Sequence, residues 1–520
     1  MMELQPACGS FLIVVLVFLI TSTCLLRCRG GQRYRLPPGP KQWPIIGNLH
    51  LMGALPHRSI HALSKRYGPL MQLRFGSVPV VVGSSPAMAR FFLKTHDTVF
   101  AGRPRSAAGN HTTYNSSDVL YSPYGEQWRQ MRKLCITELL GPARMESYEH
   151  VRCEEVHVLL QGLHRSASTG RTVLVRQCVL TSTFGVVSRM VLGAKYVDTA
   201  SPVSMTPQAL TSLVDEFYLL NGKLHVGDYI PWVEWLDLQG YVRRMKKVSK
   251  MMDGFMEYVI GEHSERRRRA EGEPIVKRDM LDVLLQLADS DDPDVKIERH
   301  VAKAVTLDML AASNNTSVAV EWAMSELLKN PSIMEKATEE LDSVVGHGRL
   351  VVEGDLPRLP YVEAIVKETL RVHPVAPLLA PHEAREDASV DGYHICAGTR
   401  VLISAWAIGR DPTLWDAPEE FRPERFMSTA AGSKANIGVL GQDMELLPFG
   451  TGRRMCPGIN LGMRVMQISL ANLLHGFAWR LPDGMAPEQL NMDEFYGLAT
   501  TRKSPLEAIC EPKLPAHLYT

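Results

Sequence analysis

The stretch Phe449-Gly450-Thr451-Gly452-Arg453-Arg454-Met455-Cys456-Pro457-Gly458 restricts this chain more than any other. Gly450, Gly452 and Gly458 permit backbone conformations that other residues resist, and Pro457 fixes the turn just after the sulfur. Such a loop can aim several N–H groups at one thiolate. A free cysteine is ordinarily a small buried hydrophobe. A thiolate that persists at neutral pH needs a cation or a metal beside it, and an anionic cofactor needs a cation such as Arg454. Together these residues suit a haem iron with an axial sulfur and propionates to neutralise. The nine cysteines are spread singly, with no C-x-x-C pair, which excludes a zinc cluster and a disulfide framework and points to a reduced compartment.

The other strong constraint lies at the opposite end. Residues 7 to 26 carry no charge and are long enough, as a helix, to cross a bilayer once. Glu3 precedes this run while Arg27, Arg29, Arg33 and Arg35 follow it, an asymmetry that favours an uncleaved anchor with the remaining chain cytoplasmic. Pro37-Pro38-Gly39-Pro40 then imposes stiff, extended backbone, so residues 27 to 48 read as a basic, Pro-rich hinge. Over the 520 residues, 45% are hydrophobic and 22% charged, which excludes a disordered or multi-span chain. With 57 Lys and Arg against 56 Asp and Glu there is no electrostatic footprint for nucleic acid.

Beyond the hinge no repeat or linker divides the chain, so residues 49 to 520 are expected to form one catalytic domain. Residues 70 to 75 and 78 to 83 flank Gly76-Ser77 and read as a β-hairpin. Apolar positions recur at helical spacing from about residue 297 to 329, until Asn330-Pro331 stops the pattern. A second helix is expected from 361 to about 372, followed by short strands near 392 to 395 and 400 to 404. The class is therefore mainly α with small β-sheets.

The loop around Cys456 matches the F-x-x-G-x-R-x-C-x-G signature at every fixed position, and the chain resembles a cytochrome P-450. That resemblance implies haem b with Cys456 as the axial iron ligand, Arg454 as a propionate partner and Phe449 packed beside the sulfur. It also implies dioxygen as co-substrate and electrons from NADPH through a cytochrome P-450 reductase. Glu368 and Arg371 stand three apart, a spacing that usually marks a surface salt bridge. With Arg425 of Pro423-Glu424-Arg425-Phe426 they match the family's buried, structural Glu-Arg-Arg network. Trp128 and Arg132 share a helix face, and the resemblance makes both of them propionate contacts, with His382 a weaker third. Arg129 and Lys133 lie on other faces and are candidates for meeting an acidic reductase.

In the long helix, Ala311-Ala312-Ser313-Asn314-Asn315-Thr316-Ser317 interrupts the apolar stripe. Ser and Thr often bond to carbonyls one turn back. The resemblance instead aligns this run with a groove over the haem, in which Thr316 steadies dioxygen and passes protons. Ser313 replaces the usual Gly and is expected to narrow the groove, and Asn315 replaces the usual acid. Proton delivery then falls to Thr316, Ser317 or water. Asn110, Asn115 and Asn314 begin formal glycosylation sequons that a cytoplasmic body leaves silent.

The hinge, Trp406 to Pro412 and Glu445 to Pro448 resemble plant A-type enzymes, most of all the group of flavonoid 3'-hydroxylases and homoterpene-forming oxidases. By that alignment the pocket draws on residues 107 to 114, 217 to 220, 311, 312, 375 to 379 and 498 to 500. Its small and aliphatic lining favours a small hydrophobic substrate, a tertiary allylic terpene alcohol cleaved oxidatively, over a flavonoid or phenylpropanoid. A haem-dependent hydroperoxide isomerase or dehydratase is the alternative of another class, and the endoplasmic reticulum membrane is the expected location.

Overall fold

The computed structural model describes residues 34–269, 279–292, 296–428 and 434–520. Ten of its helices position the site: α1 (Pro56–Tyr67), α2 (Ala107–Thr112), α3 (Glu126–Leu134), α4 (Glu149–Ala167), α5 (Val175–Leu192), α6 (Pro207–Gly222), α7 (Tyr241–Arg269), α8 (Arg299–Lys329), α9 (Pro360–Val372) and α10 (Ile459–Gly476). Their ends follow local chemistry. Ser106 caps α2 through the Gly109 N–H and Thr206 caps α6 through the Ala209 N–H. Pro331 stops α8, and Pro360 opens α9 at a first-turn position where no N–H is needed.

The long helix α8 is the axis of the body. From Val301 to Leu328 most of its side chains are buried, because it is enclosed by α5, α9 and α10 along its length. One apolar core joins α4, α9, α10 and the second half of α8, with Leu160, Ile365, Leu470 and Leu327 fully enclosed. Another joins α5, α6, α7 and the first half of α8. The partly buried cavity lies where these cores meet.

A four-stranded sheet flanks the helices. The expected hairpin forms as β1 (Leu70–Phe75) and β2 (Val78–Gly83), in the register Leu70↔Gly83 to Phe75↔Val78. Strand β4 (Arg400–Ile403) adds in parallel to β2, and β3 (His382–Glu383) closes the edge against β4. The described part of the Pro-rich hinge is docked on this sheet and on the neighbouring hairpin of Ala388–Val390 and Tyr393–Ile395 instead of standing free. Tyr34 stacks on His394 at 3.9 Å, the His394 N–H donates to the Arg35 carbonyl at 2.7 Å, and the Gln72 N–H donates to Pro38 at 2.8 Å. Among the described residues no helix is long and apolar enough to cross a membrane. The run at 7 to 26 lies outside the described residues.

Candidate active site

Cys456 faces a cavity of about 500 Å³ bounded by α3, α8, the start of α10 and the segment 375–382. Its loop is held by short-range bonds: the Cys456 N–H donates to the Phe449 carbonyl at 2.9 Å, and the Gly458 N–H is directed at the sulfur. Gly452 has φ +72°, and a Cβ there would lie 1.8 Å from the Leu93 carbonyl oxygen, so only glycine fits. Gly458 differs from the expectation for it. Its φ of −89° is open to any residue, and an added Cβ would make only an ordinary contact with the Cys456 Sγ at 3.9 Å, so neither backbone nor space requires glycine there. Phe449 packs over Gly462 at the first turns of α10. Burial pushes the Cys456 thiol up, while the Gly458 N–H and the Arg132 charge draw it down.

The cation expected at the loop is present and lacks an acidic partner among the described residues. Arg454 donates to the carbonyls of Ala101 at 2.9 Å and Ser122 at 2.7 Å, and its guanidinium lies 4.1 Å over the Trp128 ring. Burial, then the charges of Arg103 and Arg132, hold this guanidinium down to about 8. Trp128 itself donates its indole N–H to the Val119 carbonyl at 3.0 Å. Arg132 lines the cavity, its pKa lowered by burial. His382, on β3, holds the Phe100 carbonyl at 2.8 Å through Nδ1; burial, Arg103 and Arg454 push its pKa well below the ordinary value, so it is neutral here. A lone sulfur facing half-buried guanidiniums that lack a counter-anion among the described residues is the donor set a dianionic haem would satisfy, and the residues present fit that group. When bound, thiolate-ligated haem supplies dioxygen activation, because sulfur donation favours O–O cleavage.

Over the cavity, α8 passes as an unbroken helix. Ala311, Ala312, Ser313, Asn315 and Thr316 line it, whereas Asn314 and Ser317 do not. The serines follow the back-bonding pattern. Ser313 donates to Leu310 at 2.6 Å and Ser317 to Asn314 at 2.8 Å, both buried. Among the described residues Thr316 and Asn315 make no side-chain hydrogen bond, so both polar groups are presented to the cavity. The structure thus brings Thr316 and Asn315 to the same chamber as Cys456, Arg454, Arg132, Trp128, Phe449 and His382, and leaves Ser317 outside it.

The expected lining is partly reproduced. Ala108, Thr113, Phe217, Tyr218, Leu220, residues 375 to 379 and Leu498 face the cavity; Thr112, Tyr114 and Thr500 do not. Sequence reasoning missed Asp308, Tyr121 and Asn221, which also line it. Asp308 accepts the Val119 N–H at 2.8 Å, tying α8 to the loop that carries Trp128's partner. Asp118, fully buried, stands against it; burial and then the Asp308 charge push Asp118 well up, while burial pushes Asp308 up to about 6 against the lowering bonds from the Val119 N–H and Asp118. The signal was available: Asp308 lies four residues before Ala312, one helical turn along the same face.

Away from the cavity, Glu368 and Arg371 on α9 form a fully buried pair at 2.7 and 2.8 Å. Arg371 also donates to the carbonyls of Gly409, Pro418 and Glu420, and Arg425 reaches Glu368 at 3.2 Å. These bonds tie α9 to the segment 409–425, satisfying charges that would otherwise be costly to bury.

The Cytochrome P450 family profile matches residues 37–506. The chain is similar to trimethyltridecatetraene synthase of Zea mays, at 47% identity over 98% of this chain and 94% of that protein. It is also similar to flavonoid 3'-monooxygenase of Petunia hybrida, at 41% identity over 98% and 99%. A zebra fish cytochrome P450 solved with progesterone superposes with a TM-score of 0.72, at 25% identity, covering 88% of this chain and 99% of that one. Family, geometry and donor set agree: the chain belongs to the cytochrome P450 family, as a haem-thiolate monooxygenase that draws electrons from a redox partner.

Proposed function

We propose that this enzyme cleaves a tertiary allylic terpene alcohol oxidatively to a branched hydrocarbon polyene, using dioxygen and electrons from NADPH delivered by a cytochrome P-450 reductase. The observation that carries this reading is the apolar part of the cavity lining: Phe217, Ala311, Val375, Leu378, Leu379 and Leu498 offer no hydrogen-bonding side chain. A polyhydroxylated ring system would leave its hydroxyls unpaired there. Similarity to a trimethyltridecatetraene synthase supports the same choice. Cys456 is the proposed iron ligand, with Arg454, Arg132 and Trp128 at the propionates. Thr316 and Asn315 are the proposed groups for holding a proton over the reacting centre, Thr316 as donor and Asn315 by ordering water. Ser317, whose hydroxyl is committed to Asn314, acts at most through its neighbours.

Aromatic hydroxylation of a flavonoid is the second reading, favoured by the polar side chains of Asp308, Tyr121 and Asn221 in the cavity lining and by similarity to a flavonoid 3'-monooxygenase. Incubating microsomes containing the full chain and reductase with NADPH and either substrate class, with products identified by mass spectrometry, decides between them. Conversion of the alcohol to a shorter polyene supports the proposal. Hydroxylated flavonoid with the alcohols untouched overturns it, as does turnover of a hydroperoxide without NADPH as the sole activity.

The same reading places an anchor at residues 7 to 26 in the endoplasmic reticulum, a tether at 27 to 48 and the catalytic body, from 49 onward, in the cytoplasm. Its support is a surface corner. The Gly76 N–H joins Ile46 and the Ser77 N–H joins Tyr229, so the hinge and the segment 226–238 meet at one end of the sheet. There Trp43 and Ile45 are exposed, together with Trp232, Leu238 and Trp235, the last 81% exposed. Aromatic and aliphatic side chains so displayed suit a lipid interface. Arg129 and Lys133 lie exposed on α3 for an acidic redox partner.

A further inference from the structure

A second cavity, of about 320 Å³, lies between α5, α6, α7 and α8. Its walls include Leu210, Leu213 and Val214 of α6, Met252 and Phe255 of α7, and Leu310 of α8, with almost no polar surface. The cavity is partly open to solvent beside the exposed Met251, yet water entering it finds almost no hydrogen-bond partners on its apolar walls. This void adjoins the catalytic cavity. Phe217, Tyr218 and Ala311 border both, forming a partition one side chain thick. The Tyr218 hydroxyl fixes that partition to α8 by donating to the Ala311 carbonyl at 2.8 Å, and Phe217 meets Tyr218 edge to face, with ring centroids 6.0 Å apart.

The catalytic cavity must hold both the porphyrin over Cys456 and the reacting end of the substrate, which leaves a long substrate short of room. We propose that the second cavity is a tail chamber: it receives the distal, unbranching-point end of an extended isoprenoid chain once Phe217 turns aside, and so sets the chain length the enzyme accepts. The inference deepens the terpene-alcohol reading and rests on it for the identity of the chain, but the chamber's affinity for alkyl groups stands on the geometry alone. Met205, Met251 and Met252, flexible thioethers, let its walls follow a chain of varying shape.

The test uses the haem-loaded full chain and a series of N-alkylimidazoles of increasing length, read by the absorbance change as the imidazole binds the haem. In the unmodified protein affinity should continue to rise with length, by roughly fourfold for each methylene buried, past the point at which the catalytic cavity is full. Leu213→Trp, which fills the chamber from α6, should stop the rise at a shorter chain while short-chain ligands keep their affinity. Met252→Trp fills it from α7 and decides the matter if Leu213→Trp does not fold. A length profile that is the same in both variants and the unmodified protein overturns the chamber. Terpene alcohols differing by one isoprene unit are titrated alongside. If neither binds but the alkylimidazole break moves, the chamber holds and the terpene reading fails. If both are converted and neither variant changes length preference, the terpene reading holds and the chamber fails.

Discussion

The floor and the ceiling of the catalytic cavity are built on opposite plans. Below, the backbone of the Cys456 loop bonds to carbonyls within ten residues, and Arg454 donates to the fixed carbonyls of Ala101 and Ser122. Above, α8 presents the Thr316 and Asn315 side chains without a hydrogen-bond partner among the described residues, and the walls come from α6 and the segments around 375 and 498. The floor must hold a group in one place, so its loop backbone and the Arg454 side chain are fixed by protein carbonyls while its charges await an anion. The ceiling must pass protons and fit a substrate, so its polar atoms are left to be completed by whatever enters.

Removing the floor's sulfur should have the largest effect. Cys456→Ala is expected to abolish turnover, and the reduced, CO-bound protein should lose the red-shifted Soret band of thiolate ligation. Retention of that band in the variant would refute the assignment.

Breaking the support beneath the floor comes next. Arg371→Met leaves Glu368 charged and fully buried without its main partner, a loss expected to cost about 3–5 kcal/mol of stability. Thermal unfolding of the haem protein measures it, and an unchanged midpoint would show that α9 is held by packing alone.

The ceiling should respond in coupling more than in folding. Thr316→Ala is expected to keep NADPH consumption while releasing peroxide, with product formation down about 10²-fold. Asn315→Asp should introduce a titratable group and shift the pH dependence of turnover. Full coupling in Thr316→Ala would mean that protons arrive by another route.

The smallest effect belongs to the carboxyl pair at the side wall. Asp118 and Asp308 have raised pKa values, so the folded protein keeps a proton that the unfolded chain has released. Their contribution is present at low pH and fades as pH climbs from the ordinary carboxylate range towards the raised values. Asp308→Asn retains an acceptor for Val119 and should flatten this dependence, by on the order of 1 kcal/mol in urea unfolding between acid and neutral pH.

What could be read in the sequence divides along the same line. The hairpin at Gly76, the stop of α8 at Asn330-Pro331, the Cys456 loop and the Glu368 and Arg371 pair are all set by neighbours a few residues apart, and each forms near its expected bounds. The network's carbonyl partners, the Asp118 and Asp308 contact and the second cavity join residues far apart in the chain, which spacing does not encode. Ser317 shows the limit within one helix. It is adjacent to Thr316, yet one residue of helical rotation, about 100°, turns its hydroxyl from the cavity into the core.

The docked hinge shortens the tether between body and membrane. Its first described residue, Tyr34, is already stacked on His394, so under the proposed anchor at residues 7 to 26 only residues 27 to 33 would separate body from bilayer, a reach of at most roughly 25 Å. A leash that short would keep the Trp232 to Leu238 corner at the lipid surface and forbid free tumbling. The concentration of an apolar substrate that this enzyme samples is then the one dissolved in the membrane, so its apparent affinity should scale with the amount of lipid in the assay as well as with the amount of substrate added.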